Sequence, residues 1–169
     1  MQAPILEAIH RRRSIREYTD EEVSSEQLRT IIEAGTWAPS GLNNQPWRFV
    51  VVRDRGTLSA LAAQTTYRHI LEAAPAAIAI YLDREAMYHE IKDQQAAGAC
   101  LQNMLLAAEA LELGAVWLGQ ILQNKTEVNA ILGLSDRYDL AAVMAVGHPR
   151  HRQQQSSRHP LSAFILKEL

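Results

Sequence analysis

Four arginines and a serine fall together at Arg11, Arg12, Arg13, Ser14 and Arg16. Arginine presents a planar fork of N–H donors that matches phosphate oxygens, and a serine hydroxyl adds one more donor. Side chains alternate along an extended chain, so Arg12, Ser14 and Arg16 share one side. An anion site is one reading of this run. Cations solvated at a helix C-terminus, where the helix dipole favours them, are the other. A second group is the loop Pro39, Ser40, Gly41, Leu42, Asn43, Asn44, Gln45, Pro46. So many amides can hydrogen-bond a planar heterocycle or a polyol chain, or they can satisfy their own turn. A third is Trp117-Leu118-Gly119. Glycine at a strand end lets a ligand approach the backbone or simply makes a tight turn.

Other chemistries find no support. His148, His151 and His159 lack a zinc-site spacing, and no cysteine joins them. No Gly-x-Gly-x-x-Gly loop, phosphate-loop lysine motif or Gly-x-Ser-x-Gly elbow occurs. Cys100 sits in an apolar helical stretch, where a thiol is usually inert.

These residues must be positioned by an ordinary globular chain. Its 169 residues are 47% hydrophobic and 21% charged. That composition suits one domain over 1–169 and argues against disorder. The net charge of −2 gives no global basic field for nucleic acid or an anionic membrane. The most apolar stretch, Ala96 to Ala108, is shorter than the ~20 residues a membrane span needs. One cysteine excludes an intrachain disulfide, and no secretory signal opens the chain, so a cytoplasmic protein is expected.

Periodicity predicts helices over Pro4 to Arg12, from Ser24 onward, from Leu58, over Arg84 to Leu113 and over Lys125 to Leu132. Ser24 and Gln27 fit a capping box. Strands are predicted at Phe49 to Val52, Ala76 to Leu82, Ala115 to Leu118 and Leu140 to Val146. Gly98 lies inside the long helix at a cost of ~1 kcal/mol, which a close backbone approach would explain. The apolar residues of Pro160 to Leu169 stand alone and are expected to pack outside their own local unit. Helices outnumber strands in an irregular order, so the fold class is α+β.

In their order, Arg12 to Arg16, the Pro39 to Phe49 segment, Gln102-Asn103 in the long helix, Trp117-Leu118-Gly119, and Gly147-His148-Pro149 with Arg158 resemble the nitroreductase superfamily. The likeness runs from about Ile5 to Phe164. It implies a mixed sheet flanked by helices, and an intertwined homodimer with two FMN sites at the subunit interface. By motif position, Arg12, Arg13 and Ser14 would hold the flavin phosphate, with Arg158 closing on it. Arg16 would lie near the N1 and O2 edge of the ring. Pro39, Ser40, Gly41, Asn43 and Gln45 would come from the partner or line the ring edge. The backbone of Leu118 and Gly119 would face N5 and O4. Asp83 to Gln94 leaves little room for the helical excursion that roofs the pocket in larger members. The asparagine those members carry before the second strand has no clear equivalent, with Thr66 or Arg68 in its place.

The resemblance implies an NAD(P)H oxidoreductase that passes hydride through FMN to nitroaromatics, quinones or similar acceptors in a ping-pong cycle, with no protein acid or nucleophile and no metal. Three alternatives remain: another flavin reaction such as enoyl or dehydropeptide oxidation or dehalogenation, a non-enzymatic flavin-binding module, and a cofactor-free helical interaction protein. Arg12→Ala and Arg16→Ala are each expected to weaken flavin binding. At ~1.5–3 kcal/mol for a charge-assisted bond, a lost phosphate contact should cost roughly tenfold or more in affinity, read by flavin fluorescence titration. Unchanged affinity in both variants would remove the cluster from the site.

Overall fold

The computed structural model describes residues 4–169. Its elements are helices α1 (Pro4–Arg11), α2 (Ser25–Thr36), α3 (Arg55–Ala62), α4 (Arg68–Ala73), α5 (Glu90–Ala110) and α6 (Lys125–Leu132), with strands β1 (Trp47–Val52), β2 (Ala76–Asp83), β3 (Gly114–Leu118) and β4 (Tyr138–Gly147). The strands order β1-β2-β4-β3, and every ladder between them is antiparallel. The parallel component expected of a mixed sheet is confined, among the described residues, to one bridge between Ser14 and Ala115.

Alternation along β2 explains the layers. Ala77, Ala79 and Tyr81 face one way and pack with α3, α4, α6, Ile15 and Tyr18. Ala76, Ile78 and Ile80 face the other and pack with α2 and α5. All eight residues of β2 are buried, as a central strand covered on both faces requires. Each buried isoleucine or leucine contributes ~1.5–3 kcal/mol.

The helix ends follow local chemistry. Ser24 accepts from the Gln27 N–H while the Gln27 side chain accepts from the Ser24 N–H, the expected capping box. Asp54 caps α3 through Thr57. Gly133, at φ 66°, ends α6 in the left-handed conformation. The long helix begins at Glu90 rather than the expected Arg84. The buried Asp83 carboxylate accepts from the Glu85 N–H, and the Ala86 and Met87 N–H groups bond back to the Asp83 carbonyl. That turn holds the chain before α5 can start. Gly98 meets no close neighbour within this chain, contrary to expectation: a Cβ there would have nothing within 4 Å.

The segment that carries Arg12, Ser14 and Arg16 is fixed by its odd residue. Ile15 is buried, and its N–H donates to the Ala115 carbonyl at 3.1 Å. Its side chain lies on Gly114, where a Cβ would come within 2.6 Å of Ile15 Cγ2 and 2.7 Å of its Cβ. A β-branched side chain cannot swing aside. Gly114→Ala should therefore lower stability by about 1–3 kcal/mol, or roughly 2–12 °C in thermal midpoint by circular dichroism. An unshifted midpoint would show that the segment moves without cost.

Candidate functional site

The arginine run divides into residues that are spent and residues that are free. Arg11 pairs with Glu109 at 2.8 Å. Arg13 folds back: its NH1 donates to the carbonyls of His10, Arg11 and Arg12, and its Nε to the Gln154 carbonyl at 3.2 Å. It thus caps the C-terminus of α1 and ties down residue 154. Arg12 is half-buried, and neither its guanidinium nor the Ser14 hydroxyl has a hydrogen-bond partner among the described residues. The Arg12 pKa is held below its ordinary value, first by burial and then by the cations of Arg13 and Arg158, with Glu109 opposing. Arg158 donates only to the neighbouring Ser157 carbonyl. Arg16 is exposed and reaches the Ser14 carbonyl at 3.4 Å. Positive charge thus accumulates around Arg12 with no acid bonded to it among the described residues, since Glu109 is taken by Arg11 and Arg152, and this suits phosphate.

The Leu118–Gly119 turn closes the end of β3 opposite Gly114. The Leu118 side chain is buried, so only its backbone is on offer. A Cβ at Gly119 would meet nothing within 4 Å, so this strand end is open to a flat ligand. Next to it, Gln120 Oε1 accepts from Thr65 Oγ1 at 2.7 Å and from the Thr66 N–H at 2.9 Å. Arg68 is engaged instead with Glu72 at 2.7 Å. Of the two residues expected to replace the missing asparagine, Thr66 is thus the one held beside Gly119.

The amide loop is strained. Leu42, Asn43 and Gln45 have φ of 55°, 55° and 46°. Such positions cost ~1–3 kcal/mol each in non-glycine residues and gather at functional sites. Ser40 Oγ accepts from the Gln45 N–H at 3.1 Å, and Gln45 Nε2 donates to the Asn43 carbonyl. Gly41 rests on Tyr88, whose ring leaves no room for a Cβ. Pro39, Ser40 and Gly41 border a shallow cavity shared with Tyr88, Lys92 and Gln95. Beneath them, Asn44 Nδ2 donates to Asp93 Oδ1 at 2.7 Å and to the Ala86 carbonyl. Asp93 is fully buried and also accepts from the Tyr88 and His89 N–H groups. Burial pushes its pKa up, but these bonds outweigh burial and hold it below the ordinary carboxylate value.

One chain does not bring these parts together. The arginines meet Glu109 near the end of α5, and the loop meets Asp93 near its start. The helical rise puts these two carboxylates roughly 24 Å apart along the axis. The loop leads into β1 and Gly119 follows β3, at opposite edges of the sheet. Three strand spacings between those edges amount to roughly 14 Å. Asp93 and Glu109 lie outside the candidate residues of the sequence; a lone acid in the alanine-rich stretch Ala107-Ala108-Glu109-Ala110 is the available signal for the second. Cys100 is buried and its pKa is pushed up to about 12. Among the described residues no cluster of His, Cys, Asp or Glu could hold a metal, and no helix is long and apolar enough to cross a membrane.

The chain's relatives share this frame. A family model described as "Nitroreductase family" matches residues 9–66 and 53–148. A Thermus thermophilus NADH dehydrogenase is 33% identical over 201 aligned positions, covering 96% of this chain and 97% of that protein. A Desulfovibrio desulfuricans protein, assigned to the nitroreductases and solved in complex with FMN, is 54% identical, with a TM-score of 0.96 over 100% of this chain and 99% of that one. The NADPH:FMN oxidoreductase of Vibrio harveyi, solved with NAD+, is 27% identical with a TM-score of 0.87, over 98% of this chain and 77% of that one.

Asp93→Ala should release the loop. It removes one of the two acceptors of Asn44 Nδ2 and the acceptor of two backbone N–H groups, at about 1–3 kcal/mol for each group left buried. The folded pKa lies below the unfolded one. The stabilisation is therefore present above about pH 4 and is lost as pH falls through the folded value. Urea unfolding should show a large deficit at neutral pH that narrows in acid. A deficit independent of pH would exclude the carboxylate as the anchor.

Proposed function

This chain belongs to the nitroreductase family, and we propose that it is an NAD(P)H oxidoreductase that holds FMN at the arginine cluster and reduces small electron-poor acceptors such as nitroaromatics and quinones. The observation that carries this reading is the unpaired cation of Arg12 beside Arg158 and the free Ser14 hydroxyl.

When bound, FMN would supply the redox chemistry that carries hydride from NAD(P)H to the acceptor. The chain's own residues bind and orient. Arg12 and Ser14 hold the phosphate, and Arg158 closes over it. Arg13 keeps α1 and the segment around Gln154 in place for this. Arg16, exposed beside Ser14, offsets negative charge at the N1–O2 edge. The open backbone at Leu118–Gly119 takes the ring edge. No side chain is needed as an acid or nucleophile, in keeping with the inert Cys100. NAD(P)H and the acceptor use one pocket in turn, the ping-pong order.

Pro39, Ser40, Gly41, Asn43 and Gln45 reach the flavin from a second copy, since the loop of the same chain is too far away. A homodimer follows. Helix α1 buries none of its side chains and exposes Ile5, Leu6 and Ile9, while Phe164, Leu166 and Leu169 of the tail are exposed. A partner covers both.

The test is an absorbance spectrum of the purified protein, then anaerobic NADH or NADPH. Flavin bands that bleach with either nucleotide and recover with a nitroaromatic or quinone are expected. Bands that never bleach would exclude a pyridine-nucleotide reductase, and a protein that stays colourless with added FMN would overturn the reading.

A further inference from the structure

Glu109 is a buried carboxylate, 5% exposed, in an otherwise apolar stretch of α5. It accepts from two arginines on two different segments. Arg11 Nε donates to Oε1 at 2.8 Å from the end of α1, and Arg152 NH1 donates to Oε2 at 3.0 Å from the C-terminal segment. Arg152 also reaches the Leu113 carbonyl. Two residues on, the Gln154 carbonyl accepts from Arg13. The C-terminal segment has no helix or strand between Arg150 and Ser157; Glu17 holds its start through the Arg150 N–H and His151, and these side-chain contacts hold Arg152 and Gln154 beside the end of α1. Arg158, four residues past Gln154, ends up near enough to Arg12 to lower its pKa.

The geometry points to Glu109 as the positioning residue of the phosphate site: its carboxylate draws Arg11 and Arg152 away from the bound anion and tethers the segment that delivers Arg158. Five arginines lie in this region, Arg11, Arg12, Arg13, Arg152 and Arg158. Glu109 takes two and backbone carbonyls take Arg13, which leaves Arg12 and Arg158 for the ligand. A buried carboxylate shared by two guanidiniums has both oxygens satisfied, and removing it frees both arms at once. The inference rests on the FMN reading above, because the anion is the flavin phosphate.

The experiment compares FMN with riboflavin, which lacks the phosphate, on the full-length chain. Affinities are read by flavin fluorescence for wild type, Glu109→Gln, Arg152→Gln and Arg12→Ala, in low and high salt. Glu109→Gln should weaken FMN roughly tenfold or more while riboflavin stays within about twofold, and the loss should persist in high salt. Arg152→Gln cuts the same tether from the exposed side and should show the same selectivity, so the test stands if Glu109→Gln fails to fold. Equal weakening of FMN and riboflavin in both variants would make Glu109 merely structural and overturn the proposal. So would FMN affinity that is unchanged, or is raised in low salt by the freed cations, while Arg12→Ala loses tenfold; the phosphate site itself would then stand. Unchanged FMN affinity in Arg12→Ala would overturn both.

Discussion

Helix α5 sets the geometry on which the site depends. It carries Asp93 near its start and Glu109 near its end. The rise of an α-helix separates the two by roughly 24 Å. Each is a buried carboxylate, and each anchors one half of the site. Asp93 holds the strained amide loop, and Glu109 sorts the arginines. A rigid helix cannot fold back to bring its ends to one ligand. The sheet repeats the separation, because β1 and β3 are its opposite edges. A single chain therefore holds the two half-sites apart, and the homodimer proposed above would bring one half of each copy together.

The same constraint accounts for the apolar surface. Helix α1 leaves every side chain unburied, and Leu166 and Leu169 of the tail are fully exposed. Trp37, at the end of α2, and Leu42, in the loop, are exposed as well, close to the loop residues proposed to reach the flavin of a second copy. Burying a large aromatic or aliphatic side chain contributes ~1.5–3 kcal/mol. In the proposed homodimer this is the surface that a second copy would cover.

Much of this was legible in the sequence because it is local. The Ser24–Gln27 cap, the four strands and the Gly133 stop are each written within a few residues, and each lies where expected within one or two positions. Alternation put Arg12, Ser14 and Arg16 on one side, and the burial of Ile15 between Ser14 and Arg16 fits that pattern. What was not legible depends on partners distant in sequence. The start of α5 is set by Asp83 and by the turn it holds, not by helix propensity. Helix α4, six residues long, is too short for periodicity to mark. Glu109 looks like any surface acid until Arg11 and Arg152 arrive from 98 and 43 residues away. Arg13, read as a ligand beside Arg12, proves to have its donors committed to carbonyls that no spacing rule reveals.

The two carboxylates differ in what they oppose, and this shows why both are buried. At Glu109 the problem is excess positive charge: a phosphate site needs a few well-placed cations, and every additional unfixed arginine adds side-chain entropy and alternative geometries. A buried acid removes two of them from competition. At Asp93 the problem is conformational. Three non-glycine residues of the loop have positive φ. They cost several kcal/mol in sum, at ~1–3 kcal/mol each, so the loop persists only if its surroundings over-determine it. Ser40, Asn44 and the Asp93 network supply that determination from beneath, which leaves the outer face of the loop free of internal partners. Asn44 Oδ1, buried and without a hydrogen-bond partner among the described residues, marks the limit of the arrangement. The carboxylate satisfies the amide nitrogen, and the oxygen opposite it is the cost of holding the loop from beneath.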